Sequence, residues 1–225
     1  MNILEQIKDL REDIQVIGCG ENVIPFIHKI FENDPTHHKC LAKIMGKHKT
    51  MSSIILDCYF TNPKVYVLDY FEETIKKYMN NDTTYMVLNV VLCNVYEKHG
   101  HSNALVINKI QKSVERFEPK GNNKNKYYDD LPIENAIKNF VETYFVGFTY
   151  LSPYVFIGNK GPQIHVKLDL NFDFGRGLCV NYTILYIYLR CKENLGPNET
   201  IEFMNAHFLN TNILKFTNFV NSYLL

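Results

Sequence analysis

The sequence predicts an α+β fold in which a central sheet is flanked by helices, with a mainly helical N-terminal extension. Apolar residues recur at helical spacing within 2–15 and again within 67–79. A β-branched and aromatic run at 83–97, TTYMVLNVVLCNVYE, is typical of a central strand that is buried on both faces. A long apolar segment at 178–194, followed by Gly-Pro, is typical of a helix in the core.

Length and charge limit the classes of protein that fit. The chain has 225 residues, of which 46% are hydrophobic, so it can bury a sizeable core. Lys+Arg and Asp+Glu are equal at 24 each, which argues against a nucleic-acid surface built on bulk charge. We expect a helical extension over 1–80, packed on a core over 81–225, in one continuous unit.

The extension is predicted element by element. An amphipathic helix over 2–15 carries Ile3, Ile7, Leu10 and Ile14 on one face. Its predicted successors are helices over 22–33 and 34–50, an ambiguous short strand over 51–60, and a helix over 62–82 opened by Asn62-Pro63.

The core follows from the same kind of pattern. After the strand at 83–97 we predict a hairpin over 97–121, a loop over 121–130 and a helix over 131–145. One or two strands over 146–158 and a loop over 159–177 come next. The apolar helix over 178–194 and one or two amphipathic helices over 198–225 complete the prediction.

The hairpin carries a base and an acid at its open end. If its strands NALVIN and SVERF are joined by a turn near residues 109–110, or by a slightly wider one, His101 lies directly opposite Glu118. A carboxylate on one ring nitrogen fixes the tautomer and leaves the other nitrogen as a general base. The alternatives are an ordinary cross-strand pair on the surface, or Glu115 as the partner of His101.

Cys179 is the candidate nucleophile. It follows Gly175 and Gly177 and opens the apolar helix, where the helix dipole favours a thiolate and free amides suit an oxyanion. Of the other five cysteines, Cys191 reads as a buried structural residue, and Cys19, flanked by glycines, is a second candidate. No pair of cysteines has C-x-x-C spacing, and no His or Cys cluster has the spacing of a zinc site.

These residues resemble a protease family. The run H…RFEPKG resembles the H…FEP.G segment of adenain-like cysteine proteases of large DNA viruses, which belong with the SUMO-specific Ulp-type proteases. The chain order His101, Glu118, Gln163, Cys179 is similar to the order in that family. The resemblance implies a papain-like or adenain-like fold with a central mixed sheet, a Cys-His-Glu triad, and an oxyanion donor at Gln163.

Three positions depart from the family pattern. Ser102 stands where the family usually has an aromatic residue, and Val180 follows the cysteine where Gly is common. Gln163 precedes the cysteine by more residues than the family's glutamine does, so Asn159 and Asn171 are alternative donors.

The functional expectation is a cysteine endopeptidase that needs no cofactor or metal. The resemblance implies cleavage at Gly-Gly or Gly-Ala type sites in viral structural precursors or ubiquitin-like conjugates. The alternative is an inactive protein of the same fold that serves as a virion structural or partner-binding module, with some of its 15 tyrosines on the binding surface. The sequence shows no signal peptide and no apolar run that would span a membrane, so we expect the host cytoplasm or the virion and no membrane partner.

Overall fold

The computed structural model describes residues 3–10, 50–58, 63–67, 70–94, 99–121, 129–165, 178–209 and 211–222. The described strands form one six-stranded sheet in the order β2-β1-β3-β4-β5-β6. They are β1 Thr50–Asp57, β2 Lys64–Val67, β3 Tyr85–Asn94, β4 His99–Asn108, β5 Ser113–Phe117 and β6 Thr149–Leu151. The β1/β3 and β5/β6 pairs are parallel and the other pairs antiparallel, so the sheet is mixed.

Helices cover both faces of the sheet. The described helices are α1 Ile3–Ile7, α2 Phe71–Asn80, α3 Asp130–Tyr144, α4 Pro153–Phe156, a 3-10 helix Pro162–His165, α5 Leu178–Cys191, α6 Pro197–His207 and α7 Thr211–Ser222. One core joins α1, α5, α6 and α7 to residues such as Val106 and Phe117, and a second joins α2 and α3 to residues such as Leu105 and Val114. The predicted α+β class is therefore confirmed. None of the described helices is both long and apolar enough to cross a membrane.

The predicted central strand is confirmed. β3 lies between β1 and β4, and its residues 85–93 are buried. Its β-branched and apolar side chains contact helices on one face and on the other, which is why the run shows no alternation of polar and apolar residues.

The first eighty residues contribute two strands to the sheet. The ambiguous segment at 51–60 is β1, but the helix predicted over 62–82 begins only at Phe71, because Lys64–Val67 pairs with β1 as an edge strand. Ile3 and Ile7 are buried, as predicted for one face of the first helix. The helix predicted over 22–33, residues 34–49 of the helix predicted over 34–50, and the Asn62 cap lie outside the described residues, whereas Thr50 begins β1. The division of the chain near residue 80 stays a prediction.

The hairpin register differs from the prediction by two residues. β4 and β5 pair Asn108 with Ser113 and Ala104 with Phe117, so the connection is a four-residue loop rather than a turn at 109–110. The Asn108 side-chain oxygen accepts hydrogen bonds from the backbone amides of Ile110 and Gln111, at 3.0 Å each. This Asx turn stabilises the wider loop without a glycine.

Among the remaining described segments, the structure differs from the prediction at 146–158 and at Pro162–His165, a 3-10 helix within the predicted loop over 159–177. Most of the loops predicted over 121–130 and 159–177 lies outside the described residues. At 146–158, β6 is followed by the short helix α4, because Ser152 caps it through the amide of Tyr154 and Pro153 occupies its first turn. The helix predicted over 131–145 is α3, and the C-terminal segment forms the two helices α6 and α7.

Candidate active site

Cys179 is the second residue of α5, the helix that packs on β4. The hydroxyl of Thr183, one turn further along α5, donates to the carbonyl oxygen of Ser102 at 3.2 Å, which ties the first turns of the helix to the strand. Cys179 is 9% exposed. Its thiol therefore lies at the end of a helix where the backbone dipole is positive, close to the strand that carries His101.

His101 and Glu118 are in direct contact. Nε2 of His101 lies 2.5 Å from Oε1 of Glu118, and both side chains are almost fully buried. The prediction that they lie directly opposite each other is wrong, because the register places Asn103 at the level of Glu118 and His101 diagonally beyond it. The shift is two residues, so both side chains stay on the same face and the contact still forms.

His101 also contacts the thiol. The His101 and Cys179 side chains lie close enough to shift each other's pKa, and the backbone of Ser102 also lies near the sulfur and lowers the pKa of the thiol. Since Nε2 faces Glu118, Nδ1 is the ring nitrogen left for the thiol. In the described structure Glu118, His101 and Cys179 thus lie together, with the imidazole between the carboxylate and the thiol.

The three site residues shift one another's pKa values in the direction that favours their charged forms. Burial alone would lower the pKa of His101, but the Glu118 charge and the hydrogen bonds with Cys179 and Glu118 outweigh it and raise this pKa to about 10. Burial would raise the pKa of Glu118, but the charge and hydrogen bond of His101 lower it to about 2. Burial would likewise raise the pKa of Cys179, but the hydrogen bond and charge of His101 lower it below the ordinary value. The arrangement favours a thiolate beside an imidazolium.

Gln163 lies in the 3-10 helix next to the turn that follows Glu118. Its backbone amide donates to the Pro119 carbonyl oxygen at 3.0 Å, and the Gly161 amide donates to the Lys120 carbonyl oxygen at 3.0 Å. The 3-10 helix also contacts α5 and α6. The Gln163 side chain is buried, so the alternative donor Asn159, which is exposed, is the less suitable of the two. Asn171 and Cys19 lie outside the described residues.

Close backbone packing holds the 3-10 helix in place. Gly121 has φ +69°, a left-handed conformation that favours glycine, and a Cβ on Gly161 would lie 2.2 Å from the Pro119 carbonyl oxygen. The two glycines let the segments that contain Glu118 and Gln163 approach each other directly.

Glu115, the rival partner of His101, is bound elsewhere. It lies on the opposite face of β5 and contacts Arg190 of α5, with Nε to Oε1 at 2.5 Å. This buried pair fastens the helix that carries Cys179 to the strand that leads into Glu118.

Two residues beside the site were not predicted. The Asn103 side-chain amide donates to Oε2 of Glu118 at 2.8 Å, and Nε of Arg116 donates to the Asn103 side-chain oxygen at 3.0 Å. Strand alternation could have found them, since each lies two residues from a predicted site residue and therefore on the same face. Within the described ranges, no group of three His, Cys, Asp or Glu side chains is arranged to hold a metal ion.

Comparison with known proteins gives structural similarity but no match in sequence. No protein-family model matches the sequence, and no curated protein does. The fold is similar to a solved structure of the SUMO protease Ulp1 in which the catalytic cysteine is oxidised to a sulfinic acid, with 8% sequence identity and a TM-score of 0.37 over 98% of this chain and 94% of that chain. The site residues of this chain are therefore assigned from their own geometry.

Proposed function

We propose that the protein is a cysteine peptidase in which Cys179 is the nucleophile and His101 the general acid and base. One observation carries the proposal: a buried imidazole lies between a carboxylate and a thiol at a helix N-terminus. This arrangement supplies a nucleophile, a proton carrier and an orienting acid at one place.

The chemistry would proceed in two steps. The Cys179 sulfur attacks the scissile carbonyl carbon, the C–N bond breaks, and the imidazolium of His101 gives its proton to the leaving amine. Water then attacks the thioester, its proton passes to His101, and the carboxylic acid product leaves as the C–S bond breaks. Glu118 would keep Nδ1 directed at the sulfur and stabilise the charged ring. Gln163 and the backbone amide of Cys179 would hold the oxyanion.

The substrate is proposed from the FEPKG resemblance. We infer that it is a protein cut at Gly-Gly or Gly-Ala type sites, either a viral structural precursor or a ubiquitin-like conjugate, met in the host cytoplasm or the virion. An extended segment with small side chains can approach a thiol that is only 9% exposed more easily than a bulky segment can.

The thiol is tested first, without any substrate. Cys179 and Cys191 occupy the two ends of the same helix and are 9% and 5% exposed, so access differs little between them. Iodoacetamide at neutral pH should alkylate Cys179 far faster than Cys191, as measured by peptide mass spectrometry. The His101→Ala variant should lose this difference, because the thiol then lacks the ring that stabilises its thiolate.

Peptide cleavage is tested next. Peptides with Gly-Gly and Gly-Ala bonds should be cut by the chain and not by its Cys179→Ser variant. If Cys179 reacts no faster than Cys191 in the unaltered chain, the peptidase proposal fails, and the alternative of an inactive, partner-binding protein with this fold takes its place.

A further inference from the structure

The acid of the site is held through both of its oxygens. Oε1 of Glu118 faces Nε2 of His101 at 2.5 Å and accepts from the backbone amide of Lys120 at 3.0 Å, while Oε2 accepts from Asn103 at 2.8 Å. A carboxylate bound on one oxygen can rotate about its last side-chain torsion, and the bond to Asn103 prevents that rotation.

Asn103 can bridge Arg116 and Glu118 because its side-chain amide has both an accepting oxygen and a donating nitrogen. The guanidinium of Arg116 only donates hydrogen bonds, so its Nε at 3.0 Å requires the oxygen of the Asn103 amide. The amide nitrogen must then face Glu118, which as a carboxylate only accepts. Asn103 and Arg116 are both completely buried, and this chain of bonds is shielded from water.

Arg116 is itself held from a different element. Its terminal nitrogens contact the carboxylates of Glu134 at 2.8 Å and Asp130 at 3.0 Å, both in α3, and Nη2 also lies 3.6 Å from Oε2 of Glu118. The hydroxyl of Tyr150 donates to Glu134 at 3.0 Å, and the hydroxyl of Tyr154 donates to Asp130. These contacts hold Arg116 and α3 together and do not involve Asn103. The bond from Nε to Asn103 is therefore an additional contact, which leads to Glu118.

We propose that Asn103 and Arg116 are positioning residues, which align the Glu118 carboxylate with His101 through the bonds Arg116–Asn103–Glu118. This inference rests on the proposed function. Neither residue touches the thiol in any described contact. They act on the reaction through Glu118, so their effect falls on the orientation of the ring and on kcat rather than on substrate binding.

The test changes the link while keeping its surroundings. Asn103→Leu preserves the size of the side chain and removes both bonds. Arg116→Lys keeps the charge for α3 but cannot donate to Asn103 and both carboxylates at once. Tyr78→Phe is the control, because it removes a buried hydroxyl that donates to the carbonyl oxygens of Thr84 at 2.9 Å and Ile107 at 3.3 Å, at the end of β4 opposite His101.

Two readouts separate positioning from general damage. The proton between His101 and Glu118 should give a far-downfield resonance in the proton NMR spectrum, because the bond is short. In folded Asn103→Leu this resonance should move upfield or disappear, and kcat should fall about 10- to 100-fold with KM unchanged, as expected for a misplaced acid. Arg116→Lys should change both in the same direction, and Tyr78→Phe should change neither.

The inference is overturned if the folded variants at 103 and 116 keep both the resonance and kcat. If Asn103→Leu does not fold, the same two results are read from Arg116→Lys. The resonance needs no turnover, so the inference can fail while Cys179 remains selectively reactive. Conversely, loss of that reactivity in the unaltered chain overturns the peptidase proposal on which the inference rests.

Discussion

Replacing Glu118 with Gln should abolish the thiolate of Cys179 at neutral pH. The change keeps the size of the side chain and an oxygen that accepts from His101, but it removes the negative charge and turns a donating amide nitrogen toward the Asn103 amide. With charge centres about 4 Å apart and an effective dielectric constant of about 20, the lost attraction is ~4 kcal/mol. A neutral hydrogen bond to His101 contributes about 1 kcal/mol, so the net loss of attraction is about 3 kcal/mol. The equilibrium constant for forming the thiolate–imidazolium pair therefore falls roughly a hundredfold.

The thiolate is measured directly by its ultraviolet absorbance, as the difference between each protein and its Cys179→Ala derivative. The unaltered chain should show thiolate absorbance at a lower pH than Glu118→Gln does, since the hydrogen bond and charge of His101 lower the pKa of Cys179 below its ordinary value of 9.0. In Glu118→Gln the absorbance should appear only near or above that ordinary value, and alkylation at pH 7 should slow in proportion. Glu115→Gln makes the same chemical change in a buried carboxylate on the other face and should keep the thiolate. Full thiolate at pH 7 in Glu118→Gln would refute the assigned role of the acid.

The same pair predicts a pH dependence of stability. Because the folded pKa of His101 is raised from 6.5 to about 10, its contribution is complete below 6.5 and is lost as the pH rises through about 10. Because the folded pKa of Glu118 is lowered from 4.5 to about 2, its contribution is complete above 4.5 and is lost as the pH falls through about 2. The unfolding free-energy difference between the chain and Glu118→Gln, from urea titrations, should be largest between pH 4.5 and 6.5, and a difference independent of pH would contradict the ion pair.

Three further changes test other parts of the structure. Gln163→Ala should lower kcat about a hundredfold and leave alkylation of the thiol unchanged if this side chain holds the oxyanion; an unchanged kcat would assign that role elsewhere. Gly161→Ala should lower the unfolding free energy by about 1–3 kcal/mol in urea titrations, because its Cβ would lie 2.2 Å from a backbone oxygen of the facing turn. Arg190→Met should cost about 3–5 kcal/mol in the same measurement by leaving Glu115 buried and unpaired, and Glu115→Leu in the same chain should restore most of it. A double variant as unstable as the single one would contradict this explanation.

The sequence was most informative where one local pattern decides the structure. The breaker-free run of β3, the apolar helix α5 and the amphipathic C-terminal helices were all predicted from periodicity and composition. The segment from Lys64 to Val67 was assigned to a helix because its spacing to Phe71 and Ile75 is helical. Pairing with β1 decides its structure, and the sequence of the segment alone does not reveal that partner.

The contact between His101 and Glu118 was predicted with the wrong register. Strand side chains alternate with a period of two, so an error of two residues changes the opposite neighbour but not the face. Alternation places Asn103 and Arg116 on this face, but it did not reveal that Arg116 is held by carboxylates of α3, because a strand pattern carries no information about the helix that will cover it. The catalytic roles assigned to the three site residues stay predictions.

The sequence separations within the site have a consequence for biosynthesis. The acid–imidazole contact spans 17 residues, whereas the bonds that fasten α5 to the sheet span 75 and 81 residues. On the ribosome, the hairpin can therefore form well before the thiol has emerged. A nascent or truncated chain that ends before α5 has no Cys179 thiol beside the ring, so the proposed site is complete only after synthesis has passed that helix.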